Sequence, residues 1–396
     1  MKSLISTKLI TTNIGNQALS DELIFLAEER RMQVVGRPFG LDNYTTSSLS
    51  NDLINDFEGI AAKIAKLTIS ENKSLKPTSK KAVLLPFGGT TVKTEPLRVI
   101  FRKFRKLYFR FYAVSPAYRK RLALYSKVDN YYYSAAGEVS EQEFFYRQLL
   151  DLRIAQLKGV KTYAINQSVE LPEGNYKTLL LHVYKNMENI VLRGEISKSL
   201  LVGGGVPEHK IILAPDSAFR TTVPLKPFKS AVKKVAINFT KKTYVESEVI
   251  PFLEQLMKEN YELFYVTNDP YGDEHVAKLI NQKLGINYSL ETLTYKDYVQ
   301  FLQDFDVVIS SRLHTNELAF TGGIPVLPIE GNMHKTTEVF KLIDYPLYTV
   351  QYKSQSYGND LSKAFEILKT NFNNIQKFIR ERLPLIAEQT KLNIDA

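Results

Sequence analysis

The residues best suited to chemistry follow a candidate strand in the second half of the chain. Residues 306–310 are mostly apolar and predict a buried strand, and Arg312 and His314 come directly after it. Side chains at the carboxyl end of a parallel strand face the crevice where open α/β folds bind ligands. A helix predicted over 314–321 begins at the same place, so its N-terminal N–H groups and the Arg312 guanidinium favour an anion. Lys335 follows the next candidate strand and adds a cation at the same edge.

His314 offers this segment a group that titrates near neutral pH, as a proton shuttle requires. A simpler explanation stays open, in which Arg312 pairs with a surface acid and His314 caps the helix. The strand, loop and helix context favours a site over that explanation.

A second group of polar residues lies in the first half of the chain. Arg193 ends a candidate strand, Ser197 follows four residues later, and Asp216 leaves the next candidate strand. Each residue alone has an ordinary explanation, because an Arg at a strand end is usually solvated and an Asp after Pro is usually in a turn. Their order along the chain is the informative feature.

That order resembles the polysaccharide pyruvyl transferase family over nearly the whole chain. The motifs that carry the resemblance are NIGNQAL at 13–19, FGG at 87–89, Gln167 with Ser168, RGEIS at 193–197, PDSAF at 215–219, SRLH at 311–314, GIP at 323–325 and Lys335. The ordered set is far more specific than any single motif.

The resemblance implies transfer of pyruvate from phosphoenolpyruvate onto two hydroxyls of a sugar, giving a cyclic ketal. In that chemistry an acid protonates the methylene carbon of the donor and a base takes the proton of the attacking hydroxyl. By resemblance His314 and Arg312 are catalytic. Phosphoenolpyruvate carries a phosphate and a carboxylate, which match the cations among the implied donor-binding residues: Arg193, Arg312, Lys335 and Ser197. The implied acceptor or loop residues are Asn13, Asn16, Gln167 and Glu317.

Two positions depart from the family pattern. Asn16 stands where an Asp is commoner, and Glu317 begins a segment similar to the one with which nucleotide-sugar glycosyltransferases hold a ribose. A carboxylate facing the donor pocket would repel phosphoenolpyruvate. The alternative function is therefore a nucleotide-sugar-dependent glycosyltransferase on the same scaffold, and Glu317 as a solvated helix charge is equally open. A catalytically silent membrane-bound assembly protein is a third class, against which the intact Arg and His set argues.

These residues need a scaffold of alternating strands and helices, and the sequence provides one. The pattern predicts an α/β protein with two Rossmann-like domains and parallel sheets, similar to B-type glycosyltransferases. We expect an N-terminal domain over 1–222 with a basic helical insertion at 95–128, a C-terminal domain over 233–351, and one long amphipathic helix over 360–396 with Asp360 as its N-cap. The candidate strands are 32–35, 82–87, 161–165, 190–192, 210–213, 234–239, 262–267, 306–310 and 324–329.

Composition narrows the chemistry. The chain has no cysteine, which excludes disulfides and thiolate metal sites, and its five histidines show no metal-ligand spacing. We therefore expect no metal and no cofactor. The N-terminus lacks the features of a signal peptide, and no apolar run approaches the roughly 20 residues of a spanning helix, so we expect a cytoplasmic protein.

The net charge of +10 comes from one segment. Residues 96–128 contain ten basic residues and no acidic one, which leaves 42 residues of each sign elsewhere. Basic residues beside an apolar helical stripe predict contact with an anionic membrane at its inner face, where a lipid-linked saccharide acceptor would be found. The alternative is a helix that packs on the protein with solvated charges. Nucleic acid is not expected as a partner, because no nucleic-acid-binding module accompanies the charge.

Overall fold

The fold is described from a computed structural model. It describes residues 3–7, 13–36, 53–65, 123, 125–135, 139, 143–331 and 333–395 of the 396-residue chain. The predicted strand at 82–87 and most of the basic insertion at 95–128 lie outside the described residues.

The first half of the chain forms a sheet of six strands in the order β2-β1-β3-β4-β5-β6, and every pair in it is parallel. Its strands are β1 (Ser3–Thr7), β2 (Gln33–Gly36), β3 (Asn130–Ser134), β4 (Lys161–Gln167), β5 (Ile190–Leu192) and β6 (Ile211–Leu213). The helices described in this half are α1 (Ile14–Glu29), α2 (Leu53–Ala65), α3 (Glu143–Leu157), α4 (Asn175–Lys185) and α5 (Glu195–Gly203).

The second half repeats this architecture in the order β12-β11-β10-β7-β8-β9, again with parallel pairs. Its strands are β7 (Lys234–Asn238), β8 (Glu262–Tyr265), β9 (Asn287–Tyr288), β10 (Val307–Ser310), β11 (Val326–Glu330) and β12 (Val350–Gln351). The helices are α6 (Glu246–Lys258), α7 (Pro270–Leu284), α8 (Tyr295–Leu302), α9 (Leu313–Thr321) and α10 (Lys335–Leu342). Two parallel sheets confirm the predicted fold class.

The runs that predicted strands are buried because helices cover both faces of a parallel sheet. All four residues of β10 and all five of β11 are buried. Strands β1, β3, β9 and β12 are not among the predicted strands, and the NYYYS sequence of β3 lacks the aliphatic residues of the predicted runs. Tyr131 of that strand is buried and donates its hydroxyl to Asp151, which satisfies its polar end inside the core.

Residues 357–395 form two helices followed by a short third one, in place of the single long helix predicted over 360–396. They are α11 (Tyr357–Thr370), α12 (Phe372–Gln389) and α13 (Leu392–Asp395). Asn371 separates α11 from α12, and its side chain donates to the Ile367 carbonyl, the local bonding by which Asn interrupts helices. Asp360 lies in the first turn of α11 and is not its N-cap.

The end of the chain crosses back to the first sheet. Ile394 of α13 packs with Ile5 and Leu19, and Asp395 accepts two hydrogen bonds from Arg30 at 2.8 and 2.7 Å. None of the helices in the described part of the chain is long and apolar enough to cross a membrane.

The two halves share one apolar core. Ile14 and Ala18 of α1, together with Ala218 and Phe219 of the turn after β6, pack among residues of the second sheet. Residues 221–233, which connect the halves, contain no helix or strand. The carboxyl ends of β5, β6, β8 and β10 therefore lead into neighbouring loops that approach α1.

Candidate active site

Arg193 follows β5 and is completely buried. Its Nε and Nη2 atoms donate to the Ser168 hydroxyl at 3.1 and 2.9 Å, and Nη1 donates to Asp216. Burial works to raise the pKa of Asp216, but Arg193, His314 and the Ala218 N–H together lower it below its ordinary value. Asp216 is therefore an ionised carboxylate held by a buried cation.

His314 lies in the first turn of α9 and reaches this pair from the second sheet. Its Nε2 atom is 3.9 Å from Asp216 Oδ2 and 3.8 Å from Glu317 Oε2, and the side chain is 11% exposed. The ring rests on Gly15 of α1, since a Cβ at that position would come within 2.2 Å of the Cβ of His314. The NIGN turn, at 13–16, and the SRLH motif thus meet directly.

Glu317, one helical turn beyond His314, is completely buried and is not a solvated helix charge. Within the described residues neither of its carboxyl oxygens has a hydrogen-bond partner. Burial raises the pKa of Glu317 well above its ordinary value and Asp216 raises it further, while Arg193 and Lys335 oppose the shift. Two carboxyl groups beside one imidazole thus have pKa values moved in opposite directions.

Arg312 is the N-cap residue of α9 and pairs with acids of the second sheet. It forms a two-pronged contact with Asp273, from Nε at 3.1 Å and Nη2 at 2.6 Å, and Nη2 also lies 3.1 Å from Asp269. Its side chain remains 24% exposed. Asp273 itself is buried, so this pair is more than the surface ion pair considered from the sequence. The role of Arg312 toward a donor stays a prediction.

Ser197 joins the two halves of the protein. Its hydroxyl donates to Glu338 of α10 at 2.9 Å and accepts from the Val169 N–H at 2.8 Å, while its own N–H donates to Glu338 at 3.0 Å. Gly194 permits this approach, because a Cβ there would lie 2.4 Å from the Glu338 Cβ. The predicted donor contact of Ser197 stays a prediction, and in this structure the residue connects the halves.

Lys335 begins α10 and is partly buried, with its charge acting on both Glu317 and Glu330. Glu330 accepts hydrogen bonds from the N–H groups of Thr336 and Thr337 and so fixes the start of the helix. The charge of Lys335 thus acts on the buried acid one turn beyond His314, and its contact with a donor stays a prediction.

The residues predicted for the acceptor lie in different settings. Asn13 is the N-cap of α1 and accepts from the Asn16 N–H at 3.0 Å, so both belong to the turn beneath His314. Gln167 is buried inside the first sheet, where it donates to the Tyr133 carbonyl and accepts from the Tyr184 hydroxyl. Because the Gln167 side chain has no exposed surface, its observed role is to join the sheet to α4.

The site also contains acids that the predicted set omits. Asp216 was noticed in PDSAF but not assigned a role. Asp273 and Glu338 carry no sequence signal, because their partners lie 39 and 141 residues away. Only the topology brings them to Arg312 and Ser197.

Asp216, His314 and Glu317 form the cluster, among described residues, whose spacing could hold a metal ion, with ligand atoms within 4.8 Å of one another. The Asp216 oxygen nearest His314 is the same Oδ2 to which Arg193 donates. A guanidinium on that oxygen repels a divalent cation. We assign no metal to the cluster, and its charges favour proton transfer.

The two parallel sheets, one in each half of the chain, define a two-domain α/β protein of the B-type glycosyltransferase fold. The UDP-GlcNAc 2-epimerase of Neisseria meningitidis, bound to UDP-GlcNAc, is similar over 100% of this chain and 99% of its own, with 11% identity and a TM-score of 0.53. The MnaA protein of S. aureus with UDP is similar over 95% and 91%, at 11% identity and a TM-score of 0.52. Identities this low establish the fold alone.

The sequence is more specific than the fold. A model of the family described as "Polysaccharide pyruvyl transferase" matches residues 89–332, which is more than half of the chain. The chain belongs to the polysaccharide pyruvyl transferase family and is a transferase. A search of curated proteins gave no significant match.

Proposed function

We propose that the protein transfers pyruvate from phosphoenolpyruvate onto two hydroxyls of a saccharide, forming a cyclic ketal. The observation that carries this proposal is the position of His314, whose Nε2 atom lies within 4 Å of two carboxyl groups, Asp216 and Glu317. Ketal formation needs a proton delivered to carbon and a proton removed from a hydroxyl, and this cluster suits such exchange.

The donor is a small dianion or trianion, so its site needs positive charge. Lys335 is partly buried close to Glu317, and Arg312 keeps a quarter of its side chain exposed. The N-terminus of α9 adds the N–H groups and dipole that favour anions. These groups are our proposed anchors for the phosphate and carboxylate of the donor.

The contribution of Arg193 to the site differs from that of Arg312 and Lys335. It has no exposed surface, and its guanidinium is held by Asp216 and Ser168. A direct contact with the donor, as the resemblance implies, requires that Asp216 give up part of this pairing. Otherwise Arg193 supports the site by keeping Asp216 ionised beside His314.

The nucleotide-sugar alternative depended on Glu317 binding a ribose. Glu317 is completely buried beneath His314, so a ribose diol reaches it only if α9 repacks. The remaining support for this alternative is the fold, which distantly similar proteins use with UDP or UDP-GlcNAc. The position of Glu317 therefore favours the pyruvyl transferase.

Calorimetric titration of the purified protein with phosphoenolpyruvate, UDP and UDP-GlcNAc separates the two functions. We expect binding of phosphoenolpyruvate alone, weakened in Arg312→Ala and in Lys335→Ala. Binding of UDP or UDP-GlcNAc without phosphoenolpyruvate would replace our proposal with the alternative.

Turnover is tested by phosphate release in the presence of saccharide acceptors. His314→Ala should lower the rate by at least about 10²-fold with the fold intact by circular dichroism, since removal of a general acid or base costs that much. A variant that keeps more than about a tenth of the rate would remove His314 from the proton-transfer step.

We also propose that the acceptor is lipid-linked and that residues 96–128 hold the protein on an anionic membrane. The support is the charge of this segment, with ten basic residues and no acidic one. This charge is a property of the sequence, and binding to anionic vesicles tests the proposal.

A further inference from the structure

Among the described residues, Glu317 is an acid whose two carboxyl oxygens are both buried without a hydrogen-bond partner. A completely buried carboxyl group without any hydrogen bond costs free energy in either protonation state, and far more when it is ionised. A packing role alone would be filled better by an apolar side chain of the same size. The position of Glu317 beside His314 indicates that this destabilising group has a function in the site.

The groups that face Glu317 come from four elements. His314 of its own helix lies 3.8 Å away, Asp216 follows β6, Arg193 follows β5, and Lys335 begins α10. Arg193 is already paired with Asp216, whose carboxylate repels a second negative charge at Glu317. The arrangement therefore keeps one carboxyl group ionised and the other neutral on the two sides of the imidazole.

We propose that Glu317 stores the proton that His314 delivers to the substrate and takes it back in the same catalytic cycle. This inference rests on the proposed function. Glu317 has no exposed surface, so it acts through His314 and is a positioning residue for the proton.

His314 gives the proton on Nδ1 to the methylene carbon of phosphoenolpyruvate, while Nε2 receives the proton of the Glu317 carboxyl group. The first saccharide hydroxyl then forms a C–O bond to the cationic carbon, its proton passes to Nδ1, and the proton on Nε2 returns to Glu317. His314 and Glu317 thereby return to their starting protonation states. The net change is one proton moved from the saccharide hydroxyl to the new methyl group.

In the second half of the reaction the other hydroxyl attacks the same carbon. Its C–O bond forms as the bond to the phosphate oxygen breaks, and the phosphate leaves with that electron pair. The hydroxyl proton passes through His314 to the departing phosphate. This step needs no additional reactant and leaves Glu317 protonated.

The distinguishing prediction is a pH effect in Glu317→Gln, because the Gln side chain is of similar shape and has no acidic proton. Without the proton of the Glu317 carboxyl group, His314 must acquire its proton from water, so turnover at neutral pH should fall about 10²-fold. The loss should shrink below roughly pH 6, where an ordinary imidazole is itself protonated. A purely structural defect would give the same loss at every pH.

Glu22→Gln is the matched control, because Glu22 is also nearly buried and has a pKa raised by burial, but it pairs with Tyr295 away from His314. We expect wild-type turnover and pH profile from it. A wild-type rate and profile in Glu317→Gln, or an equal loss at all pH values, would overturn the proposal.

A second readout does not depend on the donor. Difference infrared spectra of wild type and Glu317→Gln at neutral pH should contain the C=O stretch of one protonated carboxyl group, and absence of that band would also overturn the proposal. If the wild type neither binds phosphoenolpyruvate nor releases phosphate from it, the proposed function fails instead. The infrared result still reports whether Glu317 carries a proton.

Discussion

Gly15 of α1 lies directly against the ring of His314, so the first half of the protein holds a residue that belongs to the second. A Cβ at position 15 would come within 2.2 to 2.5 Å of three His314 atoms, the ring nitrogen Nδ1 among them. Contacts this short force the ring to move. The glycine of the NIGN turn is therefore required by the position of the imidazole.

We predict that Gly15→Ala lowers turnover by about 10²-fold, because a shift of roughly 1 Å in a reacting group is enough for such a loss. Helix α1 should persist, since Ala is a better helix former than Gly. Steady-state kinetics with circular dichroism test this. Gly59→Ala is the matched control, because no atom of the described residues lies within 4 Å of a Cβ at position 59 of α2. Equal activity in the two variants would mean that His314 tolerates displacement.

The buried ion pair of Arg193 and Asp216 should matter strongly for stability. Arg193→Met leaves Asp216 as an uncompensated buried charge, which typically costs about 3 to 5 kcal/mol. Adding Asp216→Asn should restore part of that loss. Arg153→Met serves as the comparison, because its partner Glu58 is partly exposed and such pairs contribute about 0 to 1 kcal/mol. Urea unfolding measures all four proteins, and similar losses in the two Arg variants would contradict the prediction.

The raised pKa of Glu317 predicts a pH-dependent stability. Below its ordinary pKa of 4.5 the group is protonated in both folded and unfolded chains. As pH rises above that value the unfolded chain releases the proton and the folded chain keeps it, so the free energy of unfolding falls by up to about 1.4 kcal/mol per pH unit. The fall ends only when the pH passes the folded-state pKa.

Glu317→Gln removes this dependence and leaves Asp216 in place. The lowered pKa of Asp216 therefore contributes to the pH dependence of stability in both proteins, and this contribution cancels when the two are compared. We expect the stability of the variant relative to wild type to increase steadily from about pH 4.5 to neutral pH. Urea unfolding at a series of pH values gives this difference. A constant difference over that range would mean that Glu317 ionises normally in the folded protein.

The sequence predicted the parallel-sheet fold because β-branched runs such as those of β10 and β11 are buried on both faces. It also predicted that Arg312, His314 and Lys335 share one edge of a sheet, since the carboxyl ends of parallel strands open on the same side. Strand β3 was not predicted, because its tyrosines can be buried only when their hydroxyls find partners such as Asp151, which is 20 residues away from Tyr131.

Partners of the charged residues could not be predicted in the same way. Motifs name Arg193 and Arg312 but not the acids that hold them. Asp216 follows a different strand from Arg193, and Asp273 lies in the first turn of α7, 39 residues before Arg312. The burial of Glu317 could not be predicted either, since it depends on α9 packing between α1 and the turn after β6. Residue type and spacing along one helix carry no information about such packing.

The basic segment at 96–128 gives the last prediction. If it docks on anionic membrane, replacing Arg102, Lys103, Arg105 and Lys106 by Gln should release the protein from anionic vesicles. Four cations at about 1 kcal/mol each amount to a several-hundred-fold change in partitioning. Phosphate release with a soluble saccharide acceptor should stay at the wild-type rate, because none of these four residues is among the predicted catalytic or donor-binding residues.

Co-sedimentation with anionic and neutral vesicles at low and high salt measures this effect. High salt should mimic the substitution, since exposed charges are screened beyond roughly 8 to 10 Å at physiological ionic strength. The control replaces four exposed lysines of the second half by Gln, namely Lys258, Lys353, Lys363 and Lys377. This changes the net charge equally and should leave binding intact. Equal binding to both lipids, no binding to either, or the same loss in the control would leave the segment as a solvated basic face.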